Sequence, residues 1–590
     1  MILKPVMLIA VFVLNIFLRT IHSLPYSQIE GVTVLHPGNF DNKTSEGNWL
    51  VVFYRKSCGH CISYSEPFSQ FCRSVKNWNW VLHLGSVDCE DETNMDLCYR
   101  FKVQGVPTLR FLFTKNSKQM SGEISAERNV TLLRKSIVSK LVNVSTLQLP
   151  RDLAVNDPIV VTGSDMEVNS LLILDYSAPL KREIQSAIIP GLTEVDVRNR
   201  RSGEVIVRGP EEQVRMVLQR MSGSEPRLEE NSQAEVDVKT TPIQIKYPPV
   251  YAVDVYRSLS MLLQSDVGAR DKIEGPALEA LKEFLDILYG ILPASQEYKA
   301  YLSEISVWLN SKTSITGQEW VAYLEKIQFP LYKGPFIACN GSKPHFRGYP
   351  CGLWTLFHAL TVEQYLLSSS SPDNQVDAVA HALGRFIPRF FSCTYCAFHF
   401  ALNTANLARP GESILPENRV TPNSNEFVFD ESVIPTLPKA PETPRDTVLW
   451  LNAVHNRVNK RLAGQPSEDP TAPKVQFPPS YLCPTCWSHS STGELELGKT
   501  PETEESLFQF LVERYRASSW KYVDLPTVFI TNAVELKTEQ PVPDLLIISI
   551  ISVVLTILAA VILLAGLHFL CRRRRLFRRR RGQYAGGQSV

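Results

Sequence analysis

The sequence predicts a multidomain protein in which α/β domains come first, an all-α region follows and a transmembrane helix lies near the end. Strand-like apolar runs alternate with helical segments up to about residue 150. Apolar residues between 277 and 288 recur at the three-four spacing of a helix. Residues 545–570 form one long apolar run. A chain of 590 residues has room for about three to five domains.

The first α/β domain, residues 25–150, contains the motif Cys58-Gly-His-Cys61 directly after an apolar run. A helix starting at this motif brings both sulfurs within disulfide reach, and its dipole stabilises a thiolate. Val106-Pro107-Thr108 precedes a later strand, where the thioredoxin pattern has a cis-proline facing the active cysteines. An ordinary trans proline is the alternative. Strands are predicted at 49–54, 81–87 and 108–113, and helices at 58–75, 92–101 and 128–142.

Residues 155–250 contain three more strand-like runs, at 158–161, 171–174 and 204–207. They hold no cysteine, so we expect a thioredoxin-like domain without redox activity. Residues 251–332 have helical periodicity, and we expect their role to be structural.

A second redox unit is predicted at 333–490, around Cys393-Thr-Tyr-Cys396. A stretch rich in proline and asparagine at about 410–445 predicts a surface insertion. A third pair, Cys483-Pro-Thr-Cys486, follows. The polar and charged residues 491–544 are expected to form a stalk.

Both ends of the chain have the pattern of membrane targeting. Residues 1–23 combine Lys4 with an apolar run, as in a secretory signal peptide; an uncleaved anchor is the alternative. The run 545–570 is long enough to cross a bilayer, and eight arginines follow it at 572–581. By the positive-inside rule, 571–590 is then a cytosolic tail. We expect a single-pass type I protein of the Golgi or cell surface, with its catalytic part lumenal or extracellular and its release from the anchor left open.

The charge distribution argues against a nucleic-acid partner. Without the tail arginines, Lys4 and Arg19, the net charge of +1 becomes −9. Glycosylation sequons fit a lumenal location. The acceptor residues are Asn42, Asn129, Asn143 and Asn340.

An oxidising compartment makes disulfides the first interpretation of the twelve cysteines, and no metal site is expected. Cys89 with Cys98 and Cys339 with Cys351 are the expected structural pairs. Cys72 and Cys571 are left over; Cys72 is expected to be a buried thiol, and the role of Cys571 stays open.

The motifs carry a resemblance to known families. Cys58-Gly-His-Cys61 resembles the protein disulfide isomerases. Pro344-His-Phe-Arg-Gly-Tyr-Pro-Cys351-Gly-Leu-Trp354-Thr-Leu-Phe-His358 and Val454-His-Asn-Arg-Val-Asn459-Lys-Arg-Leu-Ala-Gly464 resemble the Erv-type, FAD-linked sulfhydryl oxidases. Both modules in one secretory chain resemble the quiescin sulfhydryl oxidases over residues 30–490, which implies that the second unit is a helical FAD-binding bundle.

The resemblance implies an electron relay from reduced protein thiols, through Cys58–Cys61 and then Cys393–Cys396, to FAD and O2, with hydrogen peroxide as product. Each thiol step is attack of a thiolate on a disulfide sulfur. Cys58, expected to be the more exposed cysteine, would meet clients, and Cys61 would resolve. His60 would stabilise the Cys58 thiolate and Pro107 would face the pair.

The resemblance also implies the residues of the FAD pocket. Aromatic and histidine side chains would stack on the ring systems, while arginine and lysine would meet the diphosphate. Cys396 would lie against the flavin ring, and Cys393 would face the thioredoxin module. The implied pocket residues are Arg347, Trp354, His358, Tyr395, His399, Asn452, His455, Asn456, Val458, Asn459, Lys474 and Phe477.

The chain departs from the thioredoxin pattern at two positions, and two other functions stay open. Many thioredoxin modules carry a buried acid and a tryptophan where this chain has Val52 and Ser57, which leaves open how Cys61 loses its proton. Cys483–Cys486 is expected to be structural or auxiliary rather than a further shuttle. The alternatives are a membrane-bound disulfide isomerase without flavin, and a zinc protein whose four ligands come from the second and third cysteine pairs.

Overall fold

The computed structural model describes residues 25–115, 118–145, 147–223, 247–368, 378–409, 413 and 435–530. The expected signal peptide, the apolar run 545–570, the cytosolic tail and residues 414–434 of the expected insertion lie outside these residues. In the part of the chain that is described, no helix is both long and apolar enough to cross a membrane.

The first α/β domain is a five-stranded mixed sheet flanked by helices, which confirms the thioredoxin-like prediction. Its strand order is β1-β3-β2-β4-β5, with β2 parallel to β3 and antiparallel to β4. Strand β2 is buried along its whole length, as its continuous apolar sequence predicts. The elements are β1 (Val32–Val34), α1 (Phe40–Thr44), β2 (Asn48–Tyr54), α2 (Gly59–Ser74), β3 (Leu82–Asp88), α3 (Met95–Arg100), β4 (Thr108–Lys115), β5 (Lys118–Ile124) and α4 (Val130–Val144).

The second α/β domain is a four-stranded sheet of order β7-β6-β8-β9, also thioredoxin-like. Its elements are β6 (Asn156–Gly163), α5 (Met166–Leu180), β7 (Arg182–Ile188), β8 (Val195–Asn199), β9 (Val205–Gly209) and α6 (Glu211–Met221).

The prediction of a strand at 171–174 is wrong, because these residues lie in helix α5. Leu171 and Leu174 pack into the core of the first domain, while Leu172 and Ile173 pack into the core of the second. A helix buried on both sides has no polar face. Its sequence therefore lacks the periodicity that separates a helix from a buried strand.

The remaining described residues form a helical region around one hydrophobic core. This core runs from Val250 to Phe529, so the expected boundary at 332 does not divide it. Helix α11 lies at its centre and packs against α7 and α14. The elements are α7 (Ala252–Met261), a π-helical turn (Leu262–Val267), β10 (Ile273–Glu274), α8 (Gly275–Ile291), α9 (Gln296–Asn310), β11 (Ser314–Ile315), α10 (Gly317–Lys326), α11 (Gly348–Ser368), α12 (Ala378–Phe390), α13 (Thr394–Asn403), α14 (Pro444–Leu462), β12 (Trp487–His489), β13 (Leu495–Leu497) and α15 (Pro501–Tyr515).

The prediction of a stalk is wrong for residues 491–530, because this segment contains helix α15 and packs against the helical core. Thr500 caps this helix, and Pro501 occupies its first turn. Leu511 and Phe508 are buried against the helical core, as are Trp520 and Phe529 beyond the helix. The segment looked like a stalk because its buried residues are few and widely spaced among charged ones.

Replacing Leu511 by Ala should lower the free energy of unfolding by about 2–5 kcal/mol, because it leaves a cavity beneath α15. Gln509→Ala, at an exposed position of the same helix, should change it by less than about 0.5 kcal/mol. Denaturant unfolding of both variants measures the difference. Equal values for the two would show that α15 does not contribute to the core.

Candidate functional site

The first cysteine pair lies at the start of helix α2. Cys58 is the N-cap residue, and its sulfur accepts a hydrogen bond from the backbone N–H of Cys61 at 3.5 Å. Burial opposes ionisation, but hydrogen bonds from Cys61 and the charge of Arg55 leave the pKa of Cys58 below its usual value. Burial and the neighbouring Cys58 raise the pKa of Cys61. Cys58 is therefore the stronger nucleophile at neutral pH.

The second pair, Cys393–Cys396, is a disulfide at the start of helix α13, and it lies directly against the first pair. The sulfurs of Cys58, Cys393 and Cys396 all lie within 4.8 Å of one another. Cys58 is more exposed than Cys61, as expected, since the exposed fraction of Cys61 is 1%. Even so, Cys58 is buried. Its exposed fraction is 4%, because the second motif covers it.

Backbone pairing holds the two motifs together. The Val106–Pro107 peptide bond is cis, which confirms the prediction. The backbone N–H of Val106 donates to the carbonyl of Ser392 at 2.9 Å, and Val106 pairs with Cys393 as in a short parallel bridge. The proline loop thus binds the second motif in the manner of an added strand.

His60 is buried between the motifs, where its ring stacks on that of Tyr395 with centroids 4.6 Å apart. Burial, together with the charge of Arg128, lowers the pKa of His60 to about 3. The imidazole is therefore neutral in this arrangement. Stabilisation of the Cys58 thiolate by the His60 side chain stays a prediction. The backbone N–H of His60 and the charge of Arg55 both lower the pKa of Cys58.

A cavity of about 380 Å³ opens beside the paired motifs and reaches into the helical region. This volume lies in the range of small-molecule sites. Cys396 lies on its wall, as the resemblance implied. The other expected pocket residues on the wall are Arg347, Trp354, Tyr395, His455, Val458, Asn459, Lys474 and Phe477.

Four expected pocket residues do not line the cavity. His358 lies behind the wall, with its Nε2 atom 3.1 Å from Nδ1 of His455. Asn452 and Asn456 each donate to the carbonyl of Phe477, at 3.0 and 2.9 Å, and so hold that ring in place. His399 contacts the ring of Tyr395 edge-on. These residues support the wall rather than form it.

The cavity is also lined by three residues that were not predicted from the sequence, Arg461, Arg514 and Tyr515. Arg461 lies within the quoted run 454–464, so its motif was a usable signal. Arg514 and Tyr515 belong to α15, the helix mistaken for stalk, and no motif marks them.

The cavity has the chemistry that a dinucleotide with stacked rings and a diphosphate requires. Trp354 and His455 are stacked in parallel with centroids 4.0 Å apart. Burial lowers the pKa of Arg347, Arg461 and Lys474, because few anions compensate these cations. Among the residues described, the Nε atoms of Arg347, Arg461 and Arg514 are buried without a hydrogen-bond partner. An anionic ligand would satisfy them, so these residues fit FAD.

The remaining cysteines have structural positions. Cys483–Cys486 is a buried disulfide beside α15 that does not line the cavity, which favours a structural role. Among the described residues, the sulfurs of Cys393 and Cys396 come together with that of Cys58 and not with those of the third pair, so the four cysteines of the zinc alternative do not form one cluster. Cys89–Cys98 and Cys339–Cys351 are disulfides and Cys72 is a buried thiol, as predicted.

The two departures from the thioredoxin pattern have local consequences. Val52 is a fully buried apolar residue in β2, with no acid in its place. Ser57 donates its backbone N–H and its hydroxyl to Glu90, at 2.8 and 2.6 Å. The first motif is therefore anchored through Glu90 at the end of β3.

Two redox pairs facing each other beside a cationic, aromatic cavity define the class of thiol–disulfide oxidoreductases. Two family models match the chain: thioredoxin over residues 31–139 and flavin adenine dinucleotide (FAD)-dependent sulfhydryl oxidase over 247–331. The second match covers α7–α10, where the sequence predicted only a structural role.

Sulfhydryl oxidase 1 of Rattus norvegicus is 29% identical over 488 residues, 75% of this chain and 61% of the rat protein. Sulfhydryl oxidase 2 of Homo sapiens is 26% identical over 514 residues, 78% of this chain and 69% of its own. The solved sulfhydryl oxidase fragment of human QSOX1 is 31% identical, with a TM-score of 0.36, covering 46% of this chain and 98% of the fragment. The chain thus spans about three fifths of the rat relative's length, and it is similar to sulfhydryl oxidases over about three quarters of its own length.

The buried His358 predicts a pH-dependent stability. Burial lowers its pKa to about 3, whereas an unfolded histidine has a pKa of about 6.5. As the pH falls below 6.5, the unfolded chain binds a proton that the folded chain does not. The free energy of unfolding should therefore fall, at about 1.4 kcal/mol per pH unit for this group, until pH 3.

His358→Gln should lower the slope of the free energy of unfolding against pH by about 1.4 kcal/mol per pH unit between pH 6.5 and 4. His489→Gln, at an exposed position, should leave the slope as it is. Denaturant titrations at several pH values measure both. If the slope of the His358 variant equals that of the parent, His358 is not held neutral in the folded chain.

Proposed function

We propose that this chain is an FAD-dependent thiol oxidase that introduces disulfides into secreted or lumenal proteins and reduces O2 to hydrogen peroxide. The observation that carries the proposal is the meeting of the Cys58, Cys393 and Cys396 sulfurs, within 4.8 Å of one another, at the wall of the cavity. The match to the FAD-dependent sulfhydryl oxidase model and the similarity to sulfhydryl oxidase 1 support it.

The first transfer takes two electrons from a client dithiol. One client thiolate attacks the Cys58–Cys61 disulfide at Cys58, and the second client thiolate then displaces Cys58. The client leaves as a disulfide, and Cys58 and Cys61 are left as thiols. The described arrangement, with Cys58 and Cys61 free and Cys393–Cys396 oxidised, corresponds to the state before the next transfer.

In the second transfer, the Cys58 thiolate attacks the sulfur of Cys393, and Cys396 leaves as a thiolate. Cys61 then displaces Cys393 from Cys58, which restores the first disulfide and leaves Cys393 and Cys396 reduced. The lowered pKa of Cys58 supports its role as the attacking group. The pairing of Val106 with Cys393, rather than with Cys396, supports Cys393 as the residue attacked.

Bound FAD would accept the electron pair from Cys393 and Cys396 and deliver it to O2. Trp354, His455 and Phe477 offer flat surfaces for its rings, and Arg347, Arg461 and Lys474 offer cations for its diphosphate. Cys58, Cys393 and Cys396 all lie on this wall, and Cys396 is the proposed partner of the flavin because Cys393 pairs with Val106 of the first domain.

Clients need a second arrangement of the domains. With only 4% of Cys58 exposed, no folded client reaches its sulfur while α13 covers it. We infer that the first domain moves away from the second motif to accept electrons and returns to pass them on. A client peptide would then occupy the edge at Val106 that the second motif occupies here.

The proposed location is the secretory pathway, with the enzyme anchored by one helix at 545–570. The four sequon asparagines, Asn42, Asn129, Asn143 and Asn340, are all exposed, which supports a lumenal surface open to glycosylation. The proposed partners are reduced protein thiols and O2, together with the membrane, and no nucleic acid.

The purified chain should carry FAD and should consume O2 and release hydrogen peroxide when a dithiol is added. The expected results are a visible flavin absorbance band and an oxygen-electrode trace that stops when the dithiol is exhausted. A folded chain without flavin that still rearranges disulfides would instead support the flavin-free isomerase.

The two cysteine pairs should fail differently when mutated. Cys58→Ser should abolish turnover of reduced proteins but leave slow turnover of a small dithiol that reduces Cys393–Cys396 directly. Cys396→Ser should stop both. Cys72→Ala, which removes a buried thiol that does not line the cavity, should retain both. Equal residual activities of the Cys58 and Cys396 variants would contradict the order of the relay.

A further inference from the structure

A buried ion pair joins the first α/β domain to the helical region next to the reacting sulfurs. Arg55 lies three residues before Cys58, and its carbonyl accepts the backbone N–H of Cys58 at 3.1 Å. Its guanidinium forms an ion pair with Asp266. The side chains are 6% and 0% exposed, respectively.

Asp266 binds the second motif as well as the first. Its Oδ1 atom, which also contacts Arg55, accepts the hydroxyl of Ser392 at 2.7 Å. Ser392 directly precedes Cys393. The Oδ2 atom accepts the hydroxyl of Tyr349 at 2.8 Å, and Tyr349 lies in the first turn of α11. One carboxylate therefore contacts the residues flanking both cysteine motifs.

The backbone around Asp266 is also specialised. Asp266 lies in the π-helical turn Leu262–Val267 that follows α7. Such turns carry an extra residue and often occur at functional sites. Arg270, just beyond the turn, donates to the carbonyls of Asp266 and Gln104, and Gln104 lies in the proline loop. The turn and the residues next to it therefore contact both the proline loop of the first domain and the segment before Cys393.

Burial distinguishes this ion pair from an exposed one that crosses the same boundary. Lys102 and Asp271 lie 3.3 Å apart with side chains 70% and 40% exposed, so water solvates them whether or not they meet. Arg55 and Asp266 lose their hydration when the domains dock. Their mutual attraction offsets this free-energy cost only when the two side chains meet in one geometry. Such a pair adds little affinity but penalises misaligned docking.

We propose that Asp266 is a positioning residue for electron transfer between the two dithiols: by binding Arg55 and Ser392 together, it aligns Cys58 with Cys393. This inference rests on the proposed function, because it concerns the internal step of that relay. Asp266 does not touch the reacting atoms and acts through the residues beside them.

The test measures the alignment directly, in the full-length chain. Cys61→Ser combined with Cys396→Ser leaves Cys58 and Cys393, which form one disulfide in a glutathione redox buffer. In that equilibrium, oxidised glutathione becomes two reduced glutathiones as the disulfide forms. The effective concentration of one cysteine toward the other, read from the fraction crosslinked, reports how well docking aligns them.

Adding Asp266→Asn to this background should lower the effective concentration at least about tenfold, because Arg55 is left buried beside a neutral amide. Lys102→Ala, which breaks the exposed pair at the same boundary, should change it less than about twofold. Arg55→Gln and Asp266→Asn together should lose about as much as either alone, the non-additivity expected of one coupled pair.

Ser392→Ala is a second, milder variant in case Asp266→Asn does not fold. It removes one hydrogen bond to Asp266 and no charge. It should lower the effective concentration several-fold without altering the unfolding midpoint. If Asp266→Asn and Ser392→Ala both crosslink like the parent, the proposal is overturned, and so it is if crosslinking and global stability fall in strict proportion. The crosslink needs no flavin turnover, so a chain that crosslinks normally but does not consume O2 would refute the proposed function alone.

Discussion

The organisation of this protein depends on a backbone contact between the proline loop of the first domain and the segment before Cys393. The hydrogen bond from Val106 to Ser392 and the bridge from Val106 to Cys393 bring three sulfurs from two domains to one point. A contact made by backbone groups is independent of side-chain identity. The loop binds the internal disulfide here and, in the proposed cycle, would bind clients of many sequences in the same way.

Burial gives the contact its chemical character. Cys58 and His60 lose their access to water when the second motif covers them, and the imidazole becomes neutral. Hydrogen bonds from the start of α2 and the charge of Arg55 keep the pKa of Cys58 low in spite of burial. The same burial keeps a folded client from the sulfur of Cys58. In the proposed cycle, client oxidation and internal transfer are therefore separate in space and in time.

The cavity beside this contact is assembled from parts that lie far apart in the chain. Helix α11 supplies Trp354, α14 supplies His455 and Arg461, and α15 supplies Arg514 and Tyr515. Burial, together with repulsion from neighbouring cations, disfavours the charged forms of Arg347 and Lys474 and so lowers the pKa of each. Binding of an anionic cofactor would relieve that repulsion and would couple the ligand to the packing of all three helices.

The sequence by itself determined the elements that have strong local signals. The continuous apolar run of β2, the helix after Cys58, the cis-proline, the structural disulfides and most of the cavity wall follow from motifs and periodicity. These features depend on residues close to one another in the chain, or on motifs whose spacing carries the chemistry.

Only the tertiary structure decided the rest, because burial depends on contacts between distant residues. Helix α5 lacks a polar face since it packs between two domains, so its sequence resembled a strand. Helix α15 belongs to the core although its few buried side chains are scattered among charges. The ion pair of Arg55 with Asp266, 211 positions apart, could not be predicted from the sequence, because each residue alone resembles an ordinary exposed charge.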